Sequence, residues 1–342
     1  MSANHRDTAP ILSFDRVCRE FPVRQAFLRP PAVLHALTDV SFDVRPGEII
    51  GIVGESGSGK STLGRIALGM MPPTSGTVRY QGQNLAGLRG QALRQVRRDM
   101  QMIFQDPNAS LNGRMTIEQS LLEPFMLHKI GTRVERRATI GQLLDVVGLP
   151  TSVLQRYPHE LSGGQKQRVV IARALTLQPK VLVADEAVAA LDVSVKAQIV
   201  NLLLDLRKSL NLAILFVSHD LPIVQGLCDR VLVLYLGRVM ELSSRAGIQD
   251  GGLHPYTQAL TRSSPIPDPT QRLSGDDLLA GEVPSPLSPP SGCVFHTRCP
   301  RAMPQCSRIV PPLVSVPGQH DVACLLYGDE AAAEVGAPLV HA

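Results

Sequence analysis

The segment Gly54-Glu55-Ser56-Gly57-Ser58-Gly59-Lys60-Ser61-Thr62 constrains this chain most, because it closes one element and opens the next. The apolar run Ile49-Ile50-Gly51-Ile52-Val53 precedes it with the length of a buried strand, and LGRIALGM follows with helical character. Glycines at this spacing let backbone N–H groups curl around a phosphate chain without Cβ clashes. The helix that follows adds the positive end of its dipole. Lys60 is placed to reach β- and γ-phosphates, and the Ser61 hydroxyl to ligate Mg²⁺. The pattern predicts a P-loop, and with it a nucleoside triphosphate site in an α/β fold.

Bulk properties narrow the alternatives without naming a partner. The 342 residues suffice for one large α/β domain with an appendage, or two modest domains. A net charge of +4 is too mild to prove an anionic partner. The basic runs Arg94 to Arg98 and Arg133 to Arg137 have no interleaved aromatics, so they read as solvated helix faces rather than base-stacking surfaces. The amino terminus MSANHRDTAP lacks the apolar stretch of a signal peptide. No run of roughly eighteen apolar residues could span a bilayer, so the expectation is a soluble cytoplasmic chain that meets any membrane through a partner.

Along the chain, residues 11 to about 45 alternate like strands, interrupted near Phe27 to Pro31. A strand is expected over Thr77 to Tyr80, a basic helix near Gln91 to Met100, and a short buried strand over Met102 to Phe104 that ends at Gln105. Residues 106–174 read as an all-helical insertion. Strand and helix then alternate again: VLVAD, SVKAQIVNLLLDLRKSL, AILFVSHD, a helix over Leu221 to Leu227, and a pair turning at Leu236-Gly237. Such alternation after a P-loop implies a mainly parallel sheet. From His254 the texture changes. The Pro-rich pieces SSPIPDPT and VPSPLSPPSG read as linker, a cysteine-containing segment follows, and residues 331–342 read as a flexible tail.

Further motifs join the P-loop in fixed order: Gln105 at a strand end, Leu161-Ser162-Gly163-Gly164-Gln165 at a helix start, Val181 to Asp185-Glu186, Ala190-Leu191-Asp192, and His219 at another strand end. Together they resemble the ATP-binding cassette of ABC transporters over about residues 11 to 260. The resemblance implies an α/β P-loop NTPase fold: a RecA-like core, an antiparallel β subdomain and a helical subdomain, spanning residues 1–260. The cysteine-containing extension over 261–330 would follow. It also assigns chemistry. Asp185 would hold Mg²⁺ with Ser61, and Glu186 would act as general base on the attacking water. Gln105 would sense Mg²⁺ and that water, and His219 would contact the γ-phosphate and orient Glu186. The Ser162–Gln165 turn has the make-up of an anion site; the resemblance turns it toward ATP held by an opposing cassette, with Asp192 in the same interface. Phe21, in the amino-terminal strands, is the candidate to stack on adenine, though an ordinary packing role suits it equally.

Finer phrases point to a subgroup. VGESGSGKSTLGR, MIFQDPNASLN, YPHELSGGQKQR, DEAVAALDVSVKAQI and HPYTQAL resemble the ATPase subunits of oligopeptide and dipeptide importers, second ATPase type. Ala187 fits this group, where most cassettes carry proline; Gly113 departs from it. The resemblance implies a second ATPase subunit, with a heterodimer favoured. It also implies two membrane permeases, an extracytoplasmic solute-binding protein, no nucleic acid, and a peripheral place on the cytoplasmic membrane face. Importers of nickel complexes or glutathione are the alternatives, and a non-transport ABC ATPase the rival. Cys293, Cys299, Cys306 and Cys324 are separated by five, six and seventeen intervening residues. A disulfide framework does not suit a reducing compartment. The spacing leaves open a [4Fe–4S] cluster, zinc, or four small buried thiols, and the subgroup resemblance favours the cluster. Cys18 and Cys228 read as core residues.

Overall fold

The computed structural model describes residues 8–23, 32–189, 191–263, 281–317 and 320–328. The loop expected at Phe27 to Pro31, Ala190, most of SSPIPDPT, and the tail lie outside them. Two sheets organise the chain. In the first, β1 (Leu12–Val23) lies between β2 (Ala32–Val44) and β4 (Ser75–Tyr80), all antiparallel, with β5 (Gln83–Asn84) at the edge. The second has eight strands in the order β11-β12-β10-β9-β3-β8-β7-β6. Its parallel centre is β6 (Met100–Ile103), β7 (Val181–Asp185), β8 (Ala213–Val217), β3 (Ile49–Val53) and β9 (Arg230–Tyr235). β10 (Arg238–Ser244), β12 (His320–Val322) and β11 (Val314–Val316) add antiparallel to that edge. Every residue of β3, β7 and β8 is buried, as expected of parallel strands covered on both faces.

Alternate side chains of the large sheet feed two cores. Ile50 and Ile52 belong to the core shared with Phe14, Leu37 and Phe42 of the antiparallel sheet; Ile49 and Val53 belong to the core on the helical side, with Ile171 and Phe216. The ten α-helices of the described residues are α1 (Lys60–Ala67), α2 (Gly90–Asp99), α3 (Pro107–Ser110), α4 (Ile117–Leu127), α5 (Arg133–Val146), α6 (Gly163–Leu175), α7 (Val193–Leu210), α8 (Leu221–Leu227), α9 (Arg245–Gln249) and α10 (Pro255–Arg262). Helices α3 to α6 follow one another without a strand, and α6 lies against α3, α4, α5 and β6. Reciprocal caps start three of these helices: Thr116 with Gln119, Thr132 with Glu135, and Ser162 with Gln165. Two boundaries differ from the sequence expectation. Met100 already belongs to β6, and Phe104 has left the sheet and is 40% exposed, because that sheet edge passes straight into the turn carrying Gln105.

The carboxy-terminal lobe (residues 281–317 and 320–328) joins the cassette through sheet and core alike. Tyr235 of β9, Tyr256 of α10 and Phe295 of the lobe form an aromatic cluster with centroids 4.8–5.3 Å apart. Beneath it, buried Glu241 accepts the N–H groups of Leu253 and His254 and lies 3.0 Å from His320 Nδ1. Burial pushes the Glu241 pKa up, but His320 and the two backbone donors outweigh it and hold the carboxyl below its usual value. Burial lowers His254 to about 4. Both folded values lie below the unfolded ones, so the stability these groups lend is complete at neutral pH and drains on acidification. For His254 the window runs from about 6.5 down to about 4 and is worth roughly 3 kcal/mol; Glu241 adds a loss at lower pH. The expected result is acid undocking of the lobe, read as loss of tyrosine near-UV circular dichroism before far-UV signal falls. A near-UV signal flat from pH 7 to 4 contradicts it.

Candidate nucleotide site

The P-loop turn is shaped by sterics at two glycines. Gly54 leaves β3 with φ 149°, and a Cβ there would stand 2.1 Å from the Leu234 carbonyl oxygen. Gly59, with φ 100°, would put a Cβ 2.4 Å from the Ala36 oxygen. No other residue type fits either place without moving backbone. Ser58 is buried, its N–H donating to the Glu55 oxygen and its own oxygen accepting from Gly237 N–H. Ser56 and Gly57 are exposed at the tip, and Thr62 is half-buried in the first turn of α1. Lys60 is buried and folds back over the turn, its Nζ donating to the Gly54 oxygen at 2.8 Å and the Glu55 oxygen at 2.9 Å. Desolvation lowers its pKa, opposed by the carboxylates of Glu186, Asp185 and Glu55. The next residue, Ser61, donates its hydroxyl to Asp185 Oδ1 at 2.9 Å. Burial raises the Asp185 pKa against that bond. A hydroxyl and a carboxylate side by side are hard oxygen donors of the kind Mg²⁺ takes.

Sheet order brings the distant carboxylate partners together. Strands β6, β7 and β8 are immediate neighbours and parallel, so the residues beyond their carboxy-terminal ends meet at one rim. Glu186 follows β7 with φ 48° and is tied by its N–H to the Val217 oxygen at 3.0 Å. A left-handed glutamate is a strained conformation of the sort found at functional sites. Its Oε2 accepts from Gln105 Nε2 at 2.7 Å, and its Oε1 lies 3.5 Å from His219 Nδ1. Gln105, Glu186 and His219 therefore form one cluster beside Ser61, Asp185 and Lys60.

The remaining expected residues lie elsewhere in the chain. Ser162 caps α6, its hydroxyl accepting from Gln165 N–H at 3.3 Å while Gln165 Oε1 accepts from Ser162 N–H. Ser162 and Gly163 are exposed. Gly164 faces α7, where a Cβ would come 2.7 Å from Val195 Cγ1. Asp192 precedes α7, exposed and without a side-chain capping bond. Phe21 is half-buried on β1 opposite Leu34, one face of its ring taken by the Arg19 guanidinium at 4.5 Å. Cys228 is buried as expected; Cys18 is only half-buried, accepting from Asp39 N–H.

Cys293, Cys299, Cys306 and Cys324 gather in the carboxy-terminal lobe as free thiols. Burial raises Cys293 and Cys299, and raises Cys324 to about 11, with the neighbouring thiols adding to each shift. Among the described residues, however, no three His, Cys, Asp or Glu side chains are arranged to hold a metal ion. The donor chemistry suits iron, but the thiols as placed are not drawn together as a ligand set. The structure also brings in residues that sequence reasoning passed over. Tyr256 Oη accepts Glu55 N–H at 2.9 Å, and Arg298 pairs with the Glu55 carboxylate at 2.7 and 3.1 Å. Tyr256 sits inside the HPYTQAL phrase; for Arg298 no local signal existed, since its partner is 243 residues away.

Comparison with known proteins bears on the whole chain. Residues 37–189 match the ABC transporter family and residues 240–306 the carboxy-terminal region of oligopeptide/dipeptide transporters. The oligopeptide transport ATP-binding protein AppF of Bacillus subtilis is 47% identical over 330 residues, 96% of this chain and all of that one. The chain belongs to the oligopeptide/dipeptide family of ABC transporter ATP-binding proteins. Solved ABC cassettes share its fold. CbiO1 from Clostridium perfringens, part of the ABC transporter complex cbiONQ, matches with TM-score 0.61 and 28% identity over 70% of this chain and 91% of that one. The cassette MJ0796, solved as a post-hydrolysis dimer with ADP and Pi, gives TM-score 0.61 and 29% identity over 68% and 98%. As an ABC ATPase of this family, the chain shows no helix among the described residues long and apolar enough to cross a membrane.

Proposed function

We propose that this chain is the ATP-hydrolysing subunit of an importer that takes up di- and oligopeptides across the cytoplasmic membrane. The observation that carries the reading is the convergence of Gln105, Glu186 and His219 on the Ser61–Asp185 pair. Lys60 and the P-loop amides bind and orient the triphosphate. Mg²⁺, held by Ser61 and Asp185 with the nucleotide, would neutralise phosphate charge. Glu186 accepts the proton of the attacking water, and Gln105 and His219 hold its carboxylate in place. The turn at Ser162, Gly163, Gly164 and Gln165, exposed at its first two residues, with Asp192 beside it, meets ATP on a second cassette, an arrangement supported by the dimeric likeness. Tighter binding of ATP to the closed pair supplies the stroke.

The second cassette is a related ATPase subunit, and both sit on the cytoplasmic face against two permeases fed by an extracytoplasmic solute-binding protein. Met126, Leu127 and Val134 of the helical subdomain are 63, 74 and 78% exposed, apolar surface of the kind a docking partner covers. The names of the relatives support peptides as the solute. Reconstitution with the partner ATPase, permeases and binding protein tests it: ATP-dependent uptake of labelled peptide is expected. Uptake of a nickel complex or glutathione alone reassigns the solute. The finer reading of the lobe, a [4Fe–4S] cluster on Cys293, Cys299, Cys306 and Cys324, rests on the gathering of the four thiols. Stoichiometric iron and acid-labile sulfide in anaerobically prepared protein supports it; iron-free, fully active protein removes it.

A further inference from the structure

We propose that Arg298 is a positioning residue for the nucleotide site, setting the charge and shape of the P-loop from the carboxy-terminal lobe through Glu55. Arg298 and Glu55 form a two-bond pair, Nη1 to Oε2 at 2.7 Å and Nη2 to Oε1 at 3.1 Å. The arginine side chain is 5% exposed and the glutamate 24%. Tyr235 Oη accepts a further bond from Arg298 at 3.3 Å, and the guanidinium centre lies 5.9 Å from that ring. A planar guanidinium fork on a carboxylate is the strongest and most directional of side-chain pairs.

Glu55 is held at each of its polar groups. Its N–H is taken by Tyr256 Oη, its carboxylate by Arg298, and its carbonyl by Lys60 Nζ. The first two contacts come from beyond the parallel core, and the third is the lysine of the phosphate site. Glu55 also acts electrically on Lys60, raising its pKa against burial. A carboxylate one residue past Gly54 would repel a triphosphate if left bare; Arg298 neutralises it in place.

A pair this buried contributes little net stability, because desolvation offsets its Coulomb gain. Anchorage of the lobe falls instead to the aromatic cluster and the β10–β12 pairing. The consequence of the ion pair therefore falls on nucleotide binding. Residues this far apart in sequence, on the two sides of a lobe–cassette contact, make the lobe part of the ATP site's support.

The inference rests on the P-loop being the ATP site, which Lys60→Met tests separately. Titration of the full chain with a fluorescent ATP analogue, and the ATPase of the assembled transporter, read the effect. Arg298→Met should raise Kd and KM for ATP about tenfold, within the usual range of coupling between sites, with kcat little changed. Adding Glu55→Gln to Arg298→Met should restore most of the affinity, since the uncompensated charge is gone. Arg298→Lys, which keeps the charge and loses the fork, should fall between, and it carries the test if Arg298→Met fails to fold. A purely structural role lowers the melting temperature but leaves KM unchanged and gives no recovery in the double variant. Unchanged Kd and KM in folded Arg298→Met, or a double variant no better than the single one, overturns the proposal.

Discussion

Glutamine in place of Glu186 is expected to cut ATP turnover by about 10³-fold, the scale of losing a positioned general base. The reasoning is local. An amide of the same shape keeps the hydrogen bond with Gln105 and the place beside His219, but it cannot take a proton from water. The change leaves Lys60, Ser61 and Asp185 as they are, so ATP should still bind. Binding without hydrolysis should trap the closed pair, visible as ATP-dependent association with the partner cassette in size-exclusion chromatography. Near-normal turnover by Glu186→Gln would take the base role away from this residue.

The second large effect is at Lys60. Methionine has nearly the same shape and none of the charge. ATP affinity should fall about 100-fold, as expected for loss of a charged hydrogen-bonding group. Folding should not suffer in step. The lysine is buried and its charged form disfavoured by desolvation, so replacing it with an apolar chain relieves a cost. The expected signature is a split: nucleotide binding collapses in calorimetry while the melting temperature holds or rises. A variant that loses both together would mean that Lys60 braces the turn through Gly54 and Glu55 more than it serves the phosphate.

Much of the site was legible in the sequence because each residue stands at the end of an apolar run. Gln105, Glu186 and His219 mark the exits of β6, β7 and β8, and the P-loop marks the exit of β3. Their nearness in space could be expected from the resemblance; the physical reason is that the sheet sets those strands side by side. What stayed hidden depended on contacts far apart in the chain. Nothing local in GCVFHTRCPRAMPQC says that Arg298 rather than Arg301 turns toward Glu55. Nor does a short, proline-flanked Val314–Val316 announce a strand, since its partner is the equally short His320–Val322. The depth of Cys18 was misread for a related reason: β1 bulges between Phe14 and Arg19, and a bulge shifts the alternation that periodicity relies on.

The way β12 lines up along Glu241, Leu242 and Ser243 bears on how far the chain could be shortened. Without that neighbour, β10 would end the large sheet with a row of bare amides and carbonyls next to apolar Leu242 and Met240, an invitation to any passing extended segment. Trimmed versions that stop after α10 would thus be prone to stick to themselves, whatever their capacity to bind nucleotide. The terminal hairpin seals the seam at which the protein would otherwise polymerise.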